Sequence, residues 1–182
     1  VVVSKDAAPL DLSACRRALS AMSWRGPDLS AASTTLSDRV FLGQTVLSLT
    51  GDIRNGRGEH LRSISGRYTL AFNGEIYNYR DLARTHLTGR LGPAGVDLTD
   101  TEVLVNLHEV LGPTEIPANL DGMFAYALYD SSERTLRLAR DIQGEKSVYV
   151  YEDERLIVVS SEIRAILTLV GGIALDEQAL RD

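Results

Sequence analysis

The second half of this sequence reads as a series of short strands joined by tight turns, and this pattern limits the folds that the chain can adopt. From Asp121 onward, segments of strand-forming residues alternate with polar or glycine-bearing turns, which is typical of β-hairpins. These strands are predicted at residues 123–129, 135–139, 148–151 and 156–159.

The first half contains fewer strands. Residues 1–3 read as part of a buried strand, and residues 40–49 as one or two more. Residues 68–72 alternate as a strand that leads into Asn73-Gly74, and Asn-Gly is the strongest short signal for a hairpin turn. Loops rich in glycine and polar residues are predicted at residues 52–66 and 89–99.

Four segments show the periodicity of helices. The first helix begins after Asp11, a residue type that caps helices. It carries the only cysteine of the chain, Cys15, on the same face as Leu12 and Leu19. The other three are predicted at residues 79–87, 101–111 and 163–170. Because the helices lie between groups of strands rather than after each strand, the pattern argues against a parallel nucleotide-binding sheet. It favours an α+β fold with helices packed on antiparallel sheets.

Composition excludes several classes of function. The length of 182 residues suits one domain, and the net charge of −6 argues against a nucleic-acid surface. No apolar run approaches the roughly 20 residues of a membrane span. A single cysteine excludes an internal disulfide, and together with the lack of a secretory signal it favours a cytoplasmic protein.

The sequence offers no motif for a metal or a phosphate group. His60, His86 and His108 have no cysteine or carboxylate partners at metal-ligand spacing. A Gly-x-x-x-x-Gly-Lys-Ser/Thr phosphate loop and a Gly-x-Ser-x-Gly nucleophile elbow are both missing. We therefore expect neither a metal nor a cofactor.

The segment Asn-Gly-Glu-Ile-Tyr-Asn, residues 73–78, carries the clearest chemical signal. A hairpin turn is one interpretation of Asn73-Gly74. The other is that the Asn73 amide and the adjacent Gly74 N–H converge on one point, which is what a developing oxyanion needs. Glu75 could then receive a substrate ammonium group. Both interpretations can hold together, since a tight turn is a rigid mount for two donors.

This segment resembles the signature of class II glutamine amidotransferase domains of the asparagine synthetase kind. Other segments resemble the same family in one register, so that the similarity covers nearly the whole chain. They are residues 25–28, 42–48, 99–102, 120–128, 140–146 and 160–167.

The resemblance implies a four-layer αββα sandwich, with two antiparallel sheets between helices, as in N-terminal-nucleophile hydrolases. It implies that residues 1–182 form one glutaminase domain. In the family, an N-terminal cysteine attacks the side-chain amide of L-glutamine, with its own α-amine as the base. Carried over by position, Asn73 and the Gly74 N–H would stabilise the oxyanion, and Glu75 and Asp100 would bind the α-ammonium group.

The resemblance also implies partners. In the family, ammonia passes to an ATP-using synthetase domain, in cis or in trans, which amidates an activated acid in asparagine biosynthesis. The Ser-Gly-Gly-x-Asp-Ser pyrophosphate loop of that domain is missing from this sequence, so that no ATP site is expected in it. The sequence does not decide whether the domain forms a homodimer.

Two departures from the family bear on activity. Residue 1 is Val1 rather than cysteine, and Cys15 is predicted to lie in the core, without an α-amine beside it. The family's arginine for the substrate carboxylate aligns with Val46, and Arg54, a few residues further along, is an alternative for this role.

Three hypotheses follow. The intact protein is a glutaminase whose cysteine precedes Val1, or the domain is a degenerate scaffold for a synthetase. The third is an unrelated binding module with a coincidental motif. For the printed chain, without the cysteine, we expect no activity.

Overall fold

Two antiparallel sheets form the centre of the molecule. The computed structural model describes residues 1–6, 8–47, 62–90, 98–112 and 114–172. The strands are β1 (Val2–Ser4), β2 (Leu29–Thr35), β3 (Val40–Val46), β4 (Tyr68–Ile76), β5 (Gly122–Asp130), β6 (Thr135–Arg140), β7 (Tyr149–Glu152) and β8 (Leu156–Ser160). The α-helices are α1 (Leu12–Ser20), α2 (Tyr79–Leu82), α3 (Asp100–Val110) and α4 (Ile163–Val170).

The first sheet has the order β2-β3-β1-β8-β7, and the second has the order β4-β5-β6. Neighbouring strands in both sheets are antiparallel. The short strand β1 joins distant parts of the chain, because Val2 pairs with Phe41 on one side and with Val158 on the other. The predicted α+β fold with antiparallel sheets is therefore confirmed.

Three clusters of buried residues fill the spaces between neighbouring layers. Cys15 of α1 and Ile166 of α4 pack on Phe41 of the first sheet. Leu104 of α3 packs with Leu70 and Leu128 of the second sheet. Between the sheets lies a third cluster, formed by Val40, Leu42 and Tyr129. The order helix, sheet, sheet, helix agrees with the predicted four-layer sandwich.

The helix that positions part of the site has a well-defined start. The Thr99 hydroxyl accepts a hydrogen bond from the Glu102 N–H at 3.2 Å, and the Glu102 carboxylate accepts one from the Thr99 N–H at 2.8 Å. This reciprocal capping box fixes the first turn of α3. Asp100, the first residue of that helix, is held in place as a result.

The prediction of a hairpin turn at Asn73-Gly74 is wrong. Both residues lie inside β4, where Asn73 pairs with Ala125 and Gly74 with Phe124. A two-residue type I′ turn needs a left-handed helical backbone, with φ near about +57°. Gly74 instead has φ of +143°, which L side chains rarely adopt, and it remains paired with β5 within the strand.

Strand β2 was not predicted, and the other predicted elements that differ from the structure do so at their limits. The predicted helix 79–87 is α2 followed by a π-helical turn, Ala83–Leu87. Residues 40–46 of the segment predicted as one or two strands form β3, and residues 48–49 lie outside the described part of the chain. Most of the two predicted loops, at residues 52–61 and 91–97, lies outside it as well.

Cys15 lies in the core, as predicted. Its side chain is 2% exposed, and burial raises the pKa of the thiol to about 11. A protonated, enclosed thiol is a poor nucleophile. In the native protein, labelling by a disulfide reagent at pH 8 is therefore expected to be at least about 100-fold slower than in urea.

A matched control places a cysteine at Ser20, an exposed residue near the end of the same helix, in a Cys15→Ala background. This thiol should react at the rate of a free thiol in both conditions. Equal native labelling rates for the unaltered protein and the control would contradict the burial of Cys15.

Candidate functional site

Asn73 faces the space between the two sheets. Side chains alternate along β4, and Leu70 and Ile76 lie in the core beneath α3, so Asn73 points to the opposite face. There it borders a cavity of about 110 Å³, together with Val1, Gln44 and Ala125. The Asn73 Nδ2 atom is buried and has no hydrogen-bond partner among the described residues.

The described residues contain six buried polar side-chain atoms without a partner, and two of them, the Asn73 Nδ2 and the Tyr126 hydroxyl, belong to residues that border the cavity. A buried donor without an acceptor costs about 1–3 kcal/mol, so most are satisfied. The Asn73 side chain can therefore donate to a ligand in the cavity. A carbonyl oxygen that acquires negative charge would be a particularly favourable acceptor.

Gly74 has a positive φ, so that an added Cβ atom would point into the neighbouring strand β5. A Cβ atom built on Gly74 would be 2.1 Å from the Met123 carbonyl oxygen and 2.7 Å from the Phe124 Cα. The neighbouring strand shows the same restriction, because a Cβ on Gly122 would be 2.2 Å from the Glu75 carbonyl oxygen. Only glycine fits at these positions.

Asp100 and Glu75 are not among the residues that border the cavity, and the charges of their two carboxylates affect each other. The half-buried Asp100 carboxylate accepts hydrogen bonds from the Ile76 N–H at 3.2 Å and from the Thr101 N–H at 2.8 Å. Burial raises the pKa of Asp100, and the nearby charge of the exposed Glu75 raises it further. Neither carboxylate forms an ion pair with a described residue. A bound cation would relieve their repulsion.

Strand β3 supplies the opposite wall of the cavity. Leu42 packs between the sheets, and Gln44, two residues further, borders the cavity and accepts a hydrogen bond from the Phe72 N–H at 3.3 Å. The same alternation places Val46 on this face. An apolar side chain therefore occupies the position that was predicted to align with the family's arginine, while Arg54 lies outside the described residues.

Arg25 is a basic residue that borders the cavity, and its charge is already compensated. Its guanidinium group forms an ion pair with Glu162, the residue that precedes α4. This pair links the segment before β2 to the helix layer. Arg25 lies in a segment that resembles the family, but its ion pair with Glu162 has no local sequence signal.

Two parts of the cavity wall were not predicted. Gln44 lies within a segment that resembles the family, but its contact with the Phe72 backbone joins two sheets and has no local sequence signal. Ser147 and Val148, which lie between β6 and β7, also border the cavity. Their position follows from the turn that precedes them.

In the described part of the chain, no group of three or more His, Cys, Asp or Glu side chains could hold a metal ion. Among the helices of the same residues, none is both long and apolar enough to cross a membrane.

Comparison with known proteins adds an independent observation. A family model described as a glutamine amidotransferase domain matches residues 3–182. A Mycobacterium tuberculosis H37Rv protein, provisionally named as a glutamine-hydrolysing asparagine synthetase, is 36% identical over 173 residues, which is 91% of this chain and 26% of that protein. Asparagine synthetase B of Escherichia coli K12 is 34% identical over 147 residues, which is 80% of this chain and 25% of that protein. The chain thus spans about a quarter of the length of these relatives.

Proposed function

Because this chain belongs to the glutamine amidotransferase domain family, we propose that it is the glutaminase domain of an asparagine-synthetase-like enzyme. In this function the domain releases ammonia from the side chain of L-glutamine for an ATP-using synthetase domain. The observation that carries the proposal is the buried, unpartnered Asn73 amide beside Gly74, at the edge of the cavity between the sheets.

The proposed chemistry uses these two donors. A thiolate attacks the amide carbon of glutamine, and a C–S bond forms while the carbonyl oxygen becomes an oxyanion. The Asn73 Nδ2–H and the Gly74 N–H donate hydrogen bonds to this oxyanion. When the oxyanion collapses, the C–N bond breaks and the nitrogen leaves as ammonia with the proton taken from the thiol. Water then hydrolyses the thioester to glutamate.

Glu75 and Asp100 are proposed to bind the α-ammonium group of glutamine. Their two negative charges affect each other, and Asp100 is partly withdrawn from water. A cation between them forms charge-assisted hydrogen bonds and offsets the unfavourable burial of Asp100.

The nucleophile is proposed to be a cysteine N-terminal to Val1 in the active protein. Val1 borders the same cavity as Asn73. Cys15 cannot serve instead, because it packs beneath α1 on the face of the first sheet that looks away from the cavity. The printed chain by itself is therefore expected to be inactive.

A second function is favoured by Val46. A valine cannot form the paired hydrogen bonds with which an arginine binds a carboxylate. If no other group replaces it, the domain is a degenerate scaffold that supports a synthetase domain. We therefore keep this alternative. In both functions the proposed partner is a synthetase domain, and the proposed compartment is the cytoplasm.

Adding a cysteine tests the proposal. Each variant begins with a cysteine that is joined to Val1 by about one to six added residues. Because each extended residue adds about 3.3 Å, the series varies the distance between the cysteine and Val1. We expect at least one length to release ammonia from glutamine, and the unaltered chain to release none above background. The readout is a coupled glutamate dehydrogenase assay.

Each variant is paired with one in which serine replaces the added cysteine, and with one that also carries Val46→Arg. Turnover with cysteine alone supports the glutaminase. Turnover only in the presence of Val46→Arg supports the degenerate scaffold. Ammonia release by the unaltered chain would contradict the assignment of the nucleophile.

A further inference from the structure

Asp141 connects two walls of the cavity without touching it. It follows β6 and is 4% exposed. Its carboxylate accepts hydrogen bonds from the Phe124 N–H at 3.2 Å, the Glu145 N–H at 2.9 Å and the Lys146 N–H at 3.2 Å. Its own N–H donates to the Phe124 carbonyl oxygen at 2.8 Å. One side chain thus ties the start of β5 to the turn before β7.

The charge of this carboxylate strengthens the connection. Burial alone would raise the pKa of Asp141, but hydrogen bonds from the backbone of Glu145, Lys146, Phe124 and Gly144 outweigh it, and the pKa lies below its usual value. Asp141 is therefore ionised at neutral pH, where it forms charge-assisted bonds to each N–H group.

The first wall is the one that carries the oxyanion donors. Phe124 is the pairing partner of Gly74, and its Cα lies 2.7 Å from the position of a Cβ on that glycine. The next residue, Ala125, pairs with Asn73 and borders the cavity. A shift of Phe124 would therefore move the backbone against which Gly74 is packed.

The second wall follows directly from the turn. Lys146, whose N–H is bound by Asp141, precedes Ser147 and Val148, which both border the cavity. The same carboxylate thus fixes the separation between the Asn73 wall and the Ser147 wall.

We propose that Asp141 is a positioning residue that holds Asn73 and Gly74 in the geometry of an oxyanion site. This inference rests on the function proposed above for these two residues. It assigns Asp141 a role through the β5 backbone rather than through contact with the substrate. A buried aspartate that only closes a turn would stabilise the domain without affecting the distant donors, so the two roles can be separated.

Asp130 provides a matched control at the other end of β5. Its carboxylate is fully buried, accepts hydrogen bonds from the Ser132 N–H at 2.9 Å and the Glu133 N–H at 3.1 Å, and pairs with Arg67. Replacing it disturbs a buried carboxylate and a turn on the same strand. Six residues separate it from Phe124 along an extended strand, or about 20 Å.

The test compares Asp141→Asn with Asp130→Asn by amide nuclear magnetic resonance of the otherwise unaltered chain, without ligand. In Asp141→Asn, the Gly74 backbone and Asn73 side-chain signals should shift about three times as far as in Asp130→Asn, because coupling is confined to groups in one network. In a cysteine-bearing protein, Asp141→Asn should lower kcat about tenfold and change KM less than about twofold. Asp130→Asn should change neither.

Equal shifts in the two variants, or none in Asp141→Asn, would overturn the proposal. If Asp141→Asn does not fold, Asp141→Glu replaces it, since it retains the charge but displaces it. Failure of both to fold would show that Asp141 serves the stability of the whole domain, which also overturns a local role. Titration of the unaltered chain with L-glutamine tests the function separately: a lack of response at Asn73 would count against the glutamine site and leave the Asp141 coupling intact.

Discussion

Gly74→Ala is expected to lower the free energy of unfolding by at least about 4 kcal/mol or to prevent folding, which is an unusually large effect for one methyl group. The added Cβ would lie 2.1 Å from the Met123 carbonyl oxygen, and this neighbour is backbone within β5. Relief of the clash requires the two strands to separate. Urea unfolding followed by circular dichroism gives the measurement.

Two other glycines serve as controls. Gly122→Ala is expected to be as destabilising, because its Cβ would lie 2.2 Å from the Glu75 carbonyl oxygen. Gly66 has φ of +75° and open space around it, so Gly66→Ala carries only backbone strain of about 1–2 kcal/mol. If Gly74→Ala were no more destabilising than Gly66→Ala, the clash of the added Cβ with the β5 backbone would be contradicted.

Local sequence patterns were sufficient to predict helix α4 and the strands after residue 121. The predicted helix 163–170 coincides with α4, and the four predicted strands after residue 121 agree with β5 to β8 within one residue at each end. The buried residues of α4 lie on one face, as the helical periodicity indicates, and the four strands are bounded by the polar or glycine-bearing turns that the sequence shows. Propensity and packing therefore favour the same structure.

Strand β2 could not be predicted in this way. Leu29–Thr35 contains mainly alanine, serine and threonine, with no apolar alternation. Its structure comes from pairing with β3 along seven residues. The order of the first sheet is likewise set by β1, whose partners are about 40 and 155 residues away, and such contacts have no local signature.

The candidate site was predictable in part. The resemblance predicted Asn73, Gly74, Glu75 and Asp100 as site residues, and their roles stay predictions; of the four, Asn73 borders the cavity. The resemblance did not identify Asp141, because the bonds of that residue reach backbone N–H groups, which every sequence provides. The hairpin interpretation of Asn-Gly failed because glycine is also required where an added Cβ atom would point into the neighbouring strand.

Asn73→Ala is expected to separate stability from catalysis. In a cysteine-bearing protein that releases ammonia, the substitution removes one oxyanion donor and should lower kcat by about 10²–10³-fold. In the unaltered chain, it removes a buried donor that has no partner among the described residues, so the free energy of unfolding should stay within about 1 kcal/mol or rise. Stopped-flow ammonia release and urea unfolding give the two measurements.

Asn78→Ala, in the same segment, should show the reverse. The Asn78 amide donates to the Asn119 carbonyl oxygen at 2.9 Å and accepts from the Asp121 N–H at 3.1 Å, so both of its polar atoms have partners. Its removal should lower the free energy of unfolding by about 1–2 kcal/mol and leave kcat nearly unchanged. The two substitutions would then have opposite effects: Asn73→Ala would lower kcat and Asn78→Ala would lower the free energy of unfolding. The reason is that the fold satisfies the Asn78 amide and leaves the Asn73 amide for a ligand. A loss of stability in Asn73→Ala as large as that in Asn78→Ala, with kcat intact, would show that Asn73 is structural and that the oxyanion is stabilised elsewhere.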